Sequence, residues 1–248
     1  MGGKATQRSE REIQHGTLLA KDDTELIWGW GTPAGQLRSR RRAALIVGGA
    51  KLRPGMSVLE IGCGTGMFTE MFAKSGAHII AVDVSADLLQ KALKRNLPHD
   101  RVQFLEGRFE DCHIHGPFDA IIGSSVLHHL SIETASLRIY ELLKPDGIMS
   151  FAEPNMLNPQ VFVERRFRRW FQYVSPDETA FTRFQLYRIL TQARFHNITI
   201  CPFDWLHPAT PLSMMDLVCT AEKCLECVPI IRECAGSLYI RCQRPSHR

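Results

Sequence analysis

No apolar run in this sequence reaches the length of a membrane-spanning helix. Nor does its start, MGGKATQRSEREIQHG, hold the apolar stretch of a secretory signal, so a cytoplasmic chain is expected. The Met-Gly start with Thr6 fits a short acylation pattern that is common by chance, and it is read as a loose leading segment. Paired cysteine motifs are missing as well. The eight cysteines are scattered, with a single C-x-x-C at Cys224 and Cys227. That excludes a disulfide-built small domain and leaves no zinc framework. Reduced thiols and no bound metal are expected. Charge of one sign is scarce: a net +4 over 248 residues is too little to imply a nucleic-acid partner. No internal repeat or low-complexity block is visible. A hydrophobic content of 44% suffices for a large core, in one domain with elaborations or two small ones.

From Pro54 onward, short apolar runs alternate with helical patterns. Strands are expected at 56–61, 78–83, 101–106, 118–125 and 148–153. Helices are expected from Met67 to Lys74, after the cap Ser85, and through Leu137 to Leu143 with a stop at Lys144-Pro145-Asp146-Gly147. Strands and helices alternating at this spacing build a doubly wound, mostly parallel α/β sheet. Past Pro154 the rhythm breaks. A helix from Val161 to Val174 would carry the stripe Val163, Phe167, Trp170, Phe171 and Val174. A second helix runs from Phe184 to Arg194 before the strand NITICPF. An apolar segment from Pro211 to Val228 and the strand-like GSLYIRCQ close the chain.

Between the first strand and its helix lies VLEIGCGTGMF. Glycines here let backbone approach a ligand closely at a helix N-terminus. A dinucleotide site needs G-x-G-x-x-G, and position 67 is Met. Glu60 would oppose a pyrophosphate but suits a cationic ligand. Asp83, ending the second strand, stands where an acid accepts hydrogen bonds from ribose hydroxyls. S-adenosylmethionine fits a ligand with a ribose, a positive charge and no pyrophosphate.

These motifs, VLEIGCGTG, AVDVS, FDAIIGSSVLHHL and LLKPDGIMSFAEP, resemble in order and spacing those of class I S-adenosylmethionine-dependent methyltransferases. The resemblance implies a Rossmann-like seven-stranded sheet whose last strand, GSLYIRCQ, runs antiparallel beside its neighbour. It implies residues 1–49 as an N-terminal lid and 50–248 as the cofactor-binding domain, with insertions at about 155–182 and 203–235. It places Glu60, Gly62, Cys63, Gly64 and Gly66 around the methionine part of the cofactor, Asp83 on the ribose and Val84 on the adenine. Arg108 stands where relatives often show Asp, with Phe109 flanking the ring and Glu110 as substitute acceptor. Ser124 would offer its carbonyl to the ammonium. WGWGTPAGQLRSRRR is similar to a closing segment of the family, with Trp30 and Thr32 at the site.

Methyl transfer requires alignment and exclusion of water more than activation by the protein. A hydroxyl acceptor gains from a base; an amine or carboxylate needs little. His129 and His128, after the fourth strand, and His207 in the late insertion are the base candidates. Glu153, Asn155 and Asn158 are expected to line the acceptor. The stretch FVERRFRRWFQYV reads either as a cap whose stripe covers the site or as a helix resting on a membrane surface. The leading reading is a methyltransferase on an O or N of a small molecule. A lipid-linked or protein acceptor, a non-catalytic cofactor-binding scaffold and a nicotinamide dehydrogenase stay as alternatives. The missing Asn-Pro-Pro-Tyr motif argues against base methylation.

Overall fold

In a computed structural model, which describes residues 2–171 and 178–246, the alternating pattern becomes one seven-stranded sheet. Three helices come first: α1 (Gly2–Ala20), α2 (Thr24–Ile27) and α3 (Pro33–Ala50). The sheet then builds through β1 (Ser57–Ile61), α4 (Met67–Ala73), β2 (His78–Asp83), α5 (Ala86–Leu93), β3 (Val102–Glu106), β4 (Phe118–Ser124), α6 (Ile132–Leu142) and β5 (Leu143–Pro154). After β5 come α7 (Pro159–Arg166), α8 (Arg183–Gln192), β6 (His196–Phe203), α9 (Leu212–Leu225) and β7 (Ser237–Gln243).

The strand order is β3-β2-β1-β4-β5-β7-β6. β1 to β5 pair in parallel, and β7 inserts antiparallel between β5 and β6. The central strands are apolar on both faces, as a sheet covered by helices on both sides requires. One core, with Leu59, Ile121, Phe151 and Leu238, lies under α6 and α8; the other, with Val58, Ile79, Phe72 and Ile122, lies under α3 and α4. Because β1 switches from β2 on one side to β4 on the other, its C-terminal end opens a crevice, where ligands settle on such sheets.

Two expectations are corrected. Lys144 to Gly147 does not separate helix from strand as a free stop. β5 begins at Leu143, and the register irregularity against β4, with Asp146 at φ 63°, absorbs those residues. The helix expected from Val161 to Val174 ends at Arg166; Val174 lies outside the described residues. Of its stripe, Val163, Phe167 and Trp170 are exposed, Trp170 to 75%, and Phe171 is half-buried; the neighbouring Phe162 is exposed too, while Glu164 and Arg165 are buried.

Candidate active site

The crevice at the end of β1 is a cavity of about 670 Å³. The glycine turn forms its floor. Gly62, Gly64 and Gly66 adopt φ of 69°, 52° and 74°, the left-handed region that side chains avoid. Space adds a second constraint: a Cβ on Gly62 would lie 2.3 Å from Val126, and one on Gly64 would touch Trp28 at 3.3 Å. Asp83 fastens the turn. Its Oδ2 accepts from the Gly64 N–H at 2.7 Å and its Oδ1 from the Ser85 N–H at 2.9 Å. Burial raises the Asp83 pKa, against the lowering effect of those N–H groups.

Glu60 sits beneath the turn, 1% exposed, and does not line the cavity. The expectation of direct ligand contact is corrected accordingly. Burial, with the nearby charge of Asp83 adding and the Thr69 hydroxyl opposing, raises its pKa to about 8. The fold therefore holds a proton there that the unfolded chain releases. Stability is expected to fall as pH rises from about 4.5 to about 8, by up to about 1.4 kcal/mol per unit, and to level off above. Glu60→Gln should flatten that slope; urea midpoints measured from pH 6 to pH 8 check it.

Cys63, Val84, Arg108, Phe109, Glu110 and Ser124 line the cavity, as do Trp30 and Thr32. Thr32 also holds the backbone together. Its Oγ1 accepts from Gly35 N, capping α3, and donates to Pro208 O at 2.8 Å. Trp30 packs edge-on against Phe68 and lies under two guanidinium groups, Arg38 at 5.2 Å and Arg42 at 5.3 Å.

Sequence reasoning misses Arg38 and Arg42. They sit four residues apart on α3, on one face, and that spacing is the available signal within a run that reads as solvated charge. Arg38 donates Nε and Nη2 to the Asp204 carboxylate at 2.9 and 2.8 Å. Arg42 is buried to 2% exposure. Its Nη1 donates to Ser125 Oγ at 2.9 Å and Ala152 O at 3.1 Å, and its Nη2 to Ser237 Oγ. Burial lowers its pKa to about 10, with Asp204 opposing, so it stays charged at neutral pH. Its Nε has no partner among the described residues and belongs to a residue of the cavity wall.

In the same cavity, His128 lies between two carboxylates. Its Nδ1 is 2.6 Å from Glu153 Oε2 and its Nε2 is 3.2 Å from Glu178 Oε1. Burial alone would lower the His128 pKa; the charge and hydrogen bond of Glu153, with those of Glu178, raise it to about 9. Glu178 is held below the usual range by the same pairing and by Arg165, against its own burial. A group already protonated at neutral pH is no base, so His128 is corrected to a charged donor. Glu153 is fully buried, its Oε1 accepting from the N–H groups of Val126 and Leu127. It positions His128 and is not among the residues lining this cavity. Asn155 is likewise buried, with Nδ2 donating to Glu233 O and Ala235 O. Asn158 reaches the cavity wall, but its Oδ1 caps α7 through Gln160 N and Val161 N. His207 is an exposed rim residue whose Nδ1 accepts from Ala209 N and whose Nε2 lies 2.9 Å from the Gln160 amide nitrogen. His129 lines the cavity with its ring 4.2 Å from that of His128.

Comparison with known proteins agrees with this architecture. Residues 58–147 match the methyltransferase domain family. The chain is 35% identical over 100 residues to a malonyl-[acyl-carrier protein] O-methyltransferase of Priestia megaterium, covering 39% of this chain and 36% of that protein. It is 31% identical over 140 residues to a ubiquinone biosynthesis O-methyltransferase of Nitrobacter winogradskyi, covering 51% and 54%. The chain thus spans about a third to a half of the length of these relatives. Among solved structures, the N-methyltransferase NodS of Bradyrhizobium japonicum in complex with S-adenosyl-L-homocysteine superposes with a TM-score of 0.62 at 19% identity, covering 94% of this chain and 98% of that one.

Proposed function

We propose that this chain, whose residues 58–147 form a methyltransferase domain of the class I S-adenosylmethionine-dependent family, transfers a methyl group to an oxygen or nitrogen of a small acceptor. One observation carries the reading: a left-handed glycine turn, the Asp83 carboxylate, the charged Arg42 and His129 all line one cavity. The residues fit the cofactor. Asp83 would accept from the ribose hydroxyls, and the bare turn lets the methionine part lie against backbone. Arg42 would bring its positive charge to the carboxylate end, with Trp30 beside it. Phe109, buried with Arg138 over its ring at 5.4 Å, would flank the adenine.

When bound, S-adenosylmethionine supplies a methyl carbon that bonds to the acceptor lone pair as the carbon–sulfur bond breaks. What remains for the chain is to align, to exclude water and to accept the acceptor's proton. His129 is the candidate for the last step, since His128 is protonated and His207 is tied at the rim. The two relatives named above are O-methyltransferases, which favours an oxygen acceptor, a carboxylate or a hydroxyl.

A lipid-linked acceptor is the second reading. No described helix is long and apolar enough to cross a membrane. Yet Phe162, Val163, Phe167 and Trp170, with exposed Arg166 and Arg169, follow directly on the cavity-lining part of α7. Exposed aromatics beside arginines suit contact with an anionic lipid surface.

The test is transfer of labelled methyl from S-adenosylmethionine to aqueous and solvent-extracted fractions of cell extract, with mass identification of the product. Label in a water-soluble product supports the first reading, and label in the solvent fraction the second. His129→Ala should lower kcat about 100-fold or more with cofactor affinity intact, and His207→Ala by less than about threefold. A chain that fails to bind S-adenosylmethionine in calorimetry would instead be a scaffold of this fold.

A further inference from the structure

We propose that His128, His129 and Glu178 hold a divalent transition-metal cation at the acceptor end of the cavity. Each offers one ligand atom, and the three atoms lie within 4.8 Å of one another. All three residues line the cavity. The separation of His128 Nε2 from Glu178 Oε1 is 3.2 Å. Ligands on a tetrahedral ion with arms of about 2.0–2.1 Å stand about 3.3–3.4 Å apart, so one edge of the site is already formed. The other two separations, within 4.8 Å, close to the same length with a movement of the His129 side chain of up to about 1.5 Å.

The surroundings are those of a ligand set. A metal-bound imidazole gives its other nitrogen to a carboxylate, which fixes ring orientation and turns the free nitrogen to the ion. Here Glu153 takes His128 Nδ1 at 2.6 Å and is itself fixed by the N–H groups of Val126 and Leu127. Nε2 is thereby aimed at Glu178. Arg165 donates to the same Glu178 oxygen that faces His128 Nε2, so on ion binding the guanidinium passes to the other carboxylate oxygen. The ion takes the position that a proton on Nε2 otherwise fills, and that proton leaves to solvent.

Two imidazoles and one carboxylate select a borderline ion such as zinc, cobalt or iron over magnesium or calcium. Three protein ligands leave a position open toward the cavity, the arrangement of catalytic rather than structural sites. That position would take the acceptor's oxygen. Its hydroxyl proton passes to solvent on coordination, and the oxygen lone pair then forms the bond to the methyl carbon as the carbon–sulfur bond breaks. This role rests on the methyl-transfer reading but replaces His129 as its base, since a metal-bound imidazole accepts no proton; the cation site itself does not rest on that reading.

The full chain, freed of metal with a chelator, is titrated with cobalt(II). Visible absorption follows coordination, equilibrium dialysis gives stoichiometry, and S-adenosylmethionine binding is measured separately. One cobalt per chain, displaced by zinc, is expected. His129→Ala and Glu178→Gln should each weaken binding about tenfold or more, and Glu153→Gln about 10- to 100-fold. His99→Ala, an exposed histidine elsewhere, should change nothing. Circular dichroism shows which variants fold, and His129→Ala decides if Glu178→Gln does not. No saturable cobalt binding by the wild-type chain overturns the proposal. So does binding of equal affinity in folded His129→Ala. Cobalt binding without S-adenosylmethionine binding sinks the methyl-transfer reading and leaves the cation site standing; the reverse result removes the site alone.

Discussion

Arg42→Met is expected to destabilise the fold by about 3–5 kcal/mol and to remove measurable S-adenosylmethionine binding, the largest combined loss from any single substitution in this chain. The reason lies in what the guanidinium joins. From α3 it reaches Ser125 just past β4, the Ala152 carbonyl in β5 and the Ser237 hydroxyl at the start of β7. It also adds its charge to those of Arg38 and Arg41 around Asp204, so its loss leaves a buried carboxylate with two cations in place of three. Methionine fills similar space but satisfies none of these oxygens. The serine hydroxyls can turn to other acceptors; the Ala152 carbonyl keeps only the Ser125 N–H. Lysine would keep the charge but cannot fork across three strand ends, so Arg42→Lys should recover only part of the loss. Urea midpoints and calorimetry with the cofactor measure the two effects separately. An unchanged midpoint would show that the buried guanidinium contributes no net stability.

The parts of this site that are legible in the sequence are the ones fixed by neighbouring residues. Strand, glycine turn, helix and a following acid are local signals, and Gly62, Gly64, Gly66 and Asp83 stand where those signals put them. What stays hidden depends on long-range partners. Glu153 and Asn155 close a strand at the ligand-binding end, a position that reads as exposed to a substrate. β7 pairs along the whole of that strand end, and the segment before it supplies the carbonyls that Asn155 satisfies, so both are buried. Glu178 lies 50 residues beyond His128 in sequence, and no spacing rule joins them. The α7 stripe fails for a related reason. Apolar periodicity assumes that charge faces water, but Glu164 and Arg165 find partners at the cavity, Gln160 and Glu178, and their pairing outweighs the burial of Val163 and Phe167. Arg42 is lost in a basic run because composition cannot tell which of four neighbouring arginines turns inward.

Asp83→Ala should raise the dissociation constant for S-adenosylmethionine about 100-fold or more while costing the fold much less than Arg42→Met. The carboxylate plays two roles at once. One lone pair on each oxygen is committed to backbone, to Gly64 N on one side of the turn and Ser85 N on the other. The remaining lone pairs are free to accept from the two ribose hydroxyls proposed there. Hydrogen bonds to a charged acceptor contribute about 1.5–3 kcal/mol each, so losing two gives about two to four powers of ten in affinity. Asp83→Asn separates these roles. An amide presents one oxygen and one NH2, and the NH2 cannot face a backbone N–H. Either the turn loses its grip on Gly64 or the ribose loses an acceptor, and an intermediate loss of about 10- to 100-fold follows. S-Adenosylhomocysteine shares the ribose and lacks the sulfonium, so its binding should weaken by the same factor as that of the methyl donor. Calorimetry with both ligands decides. If Asp83→Ala binds either within about threefold of the wild type, the nucleoside does not lie on this carboxylate.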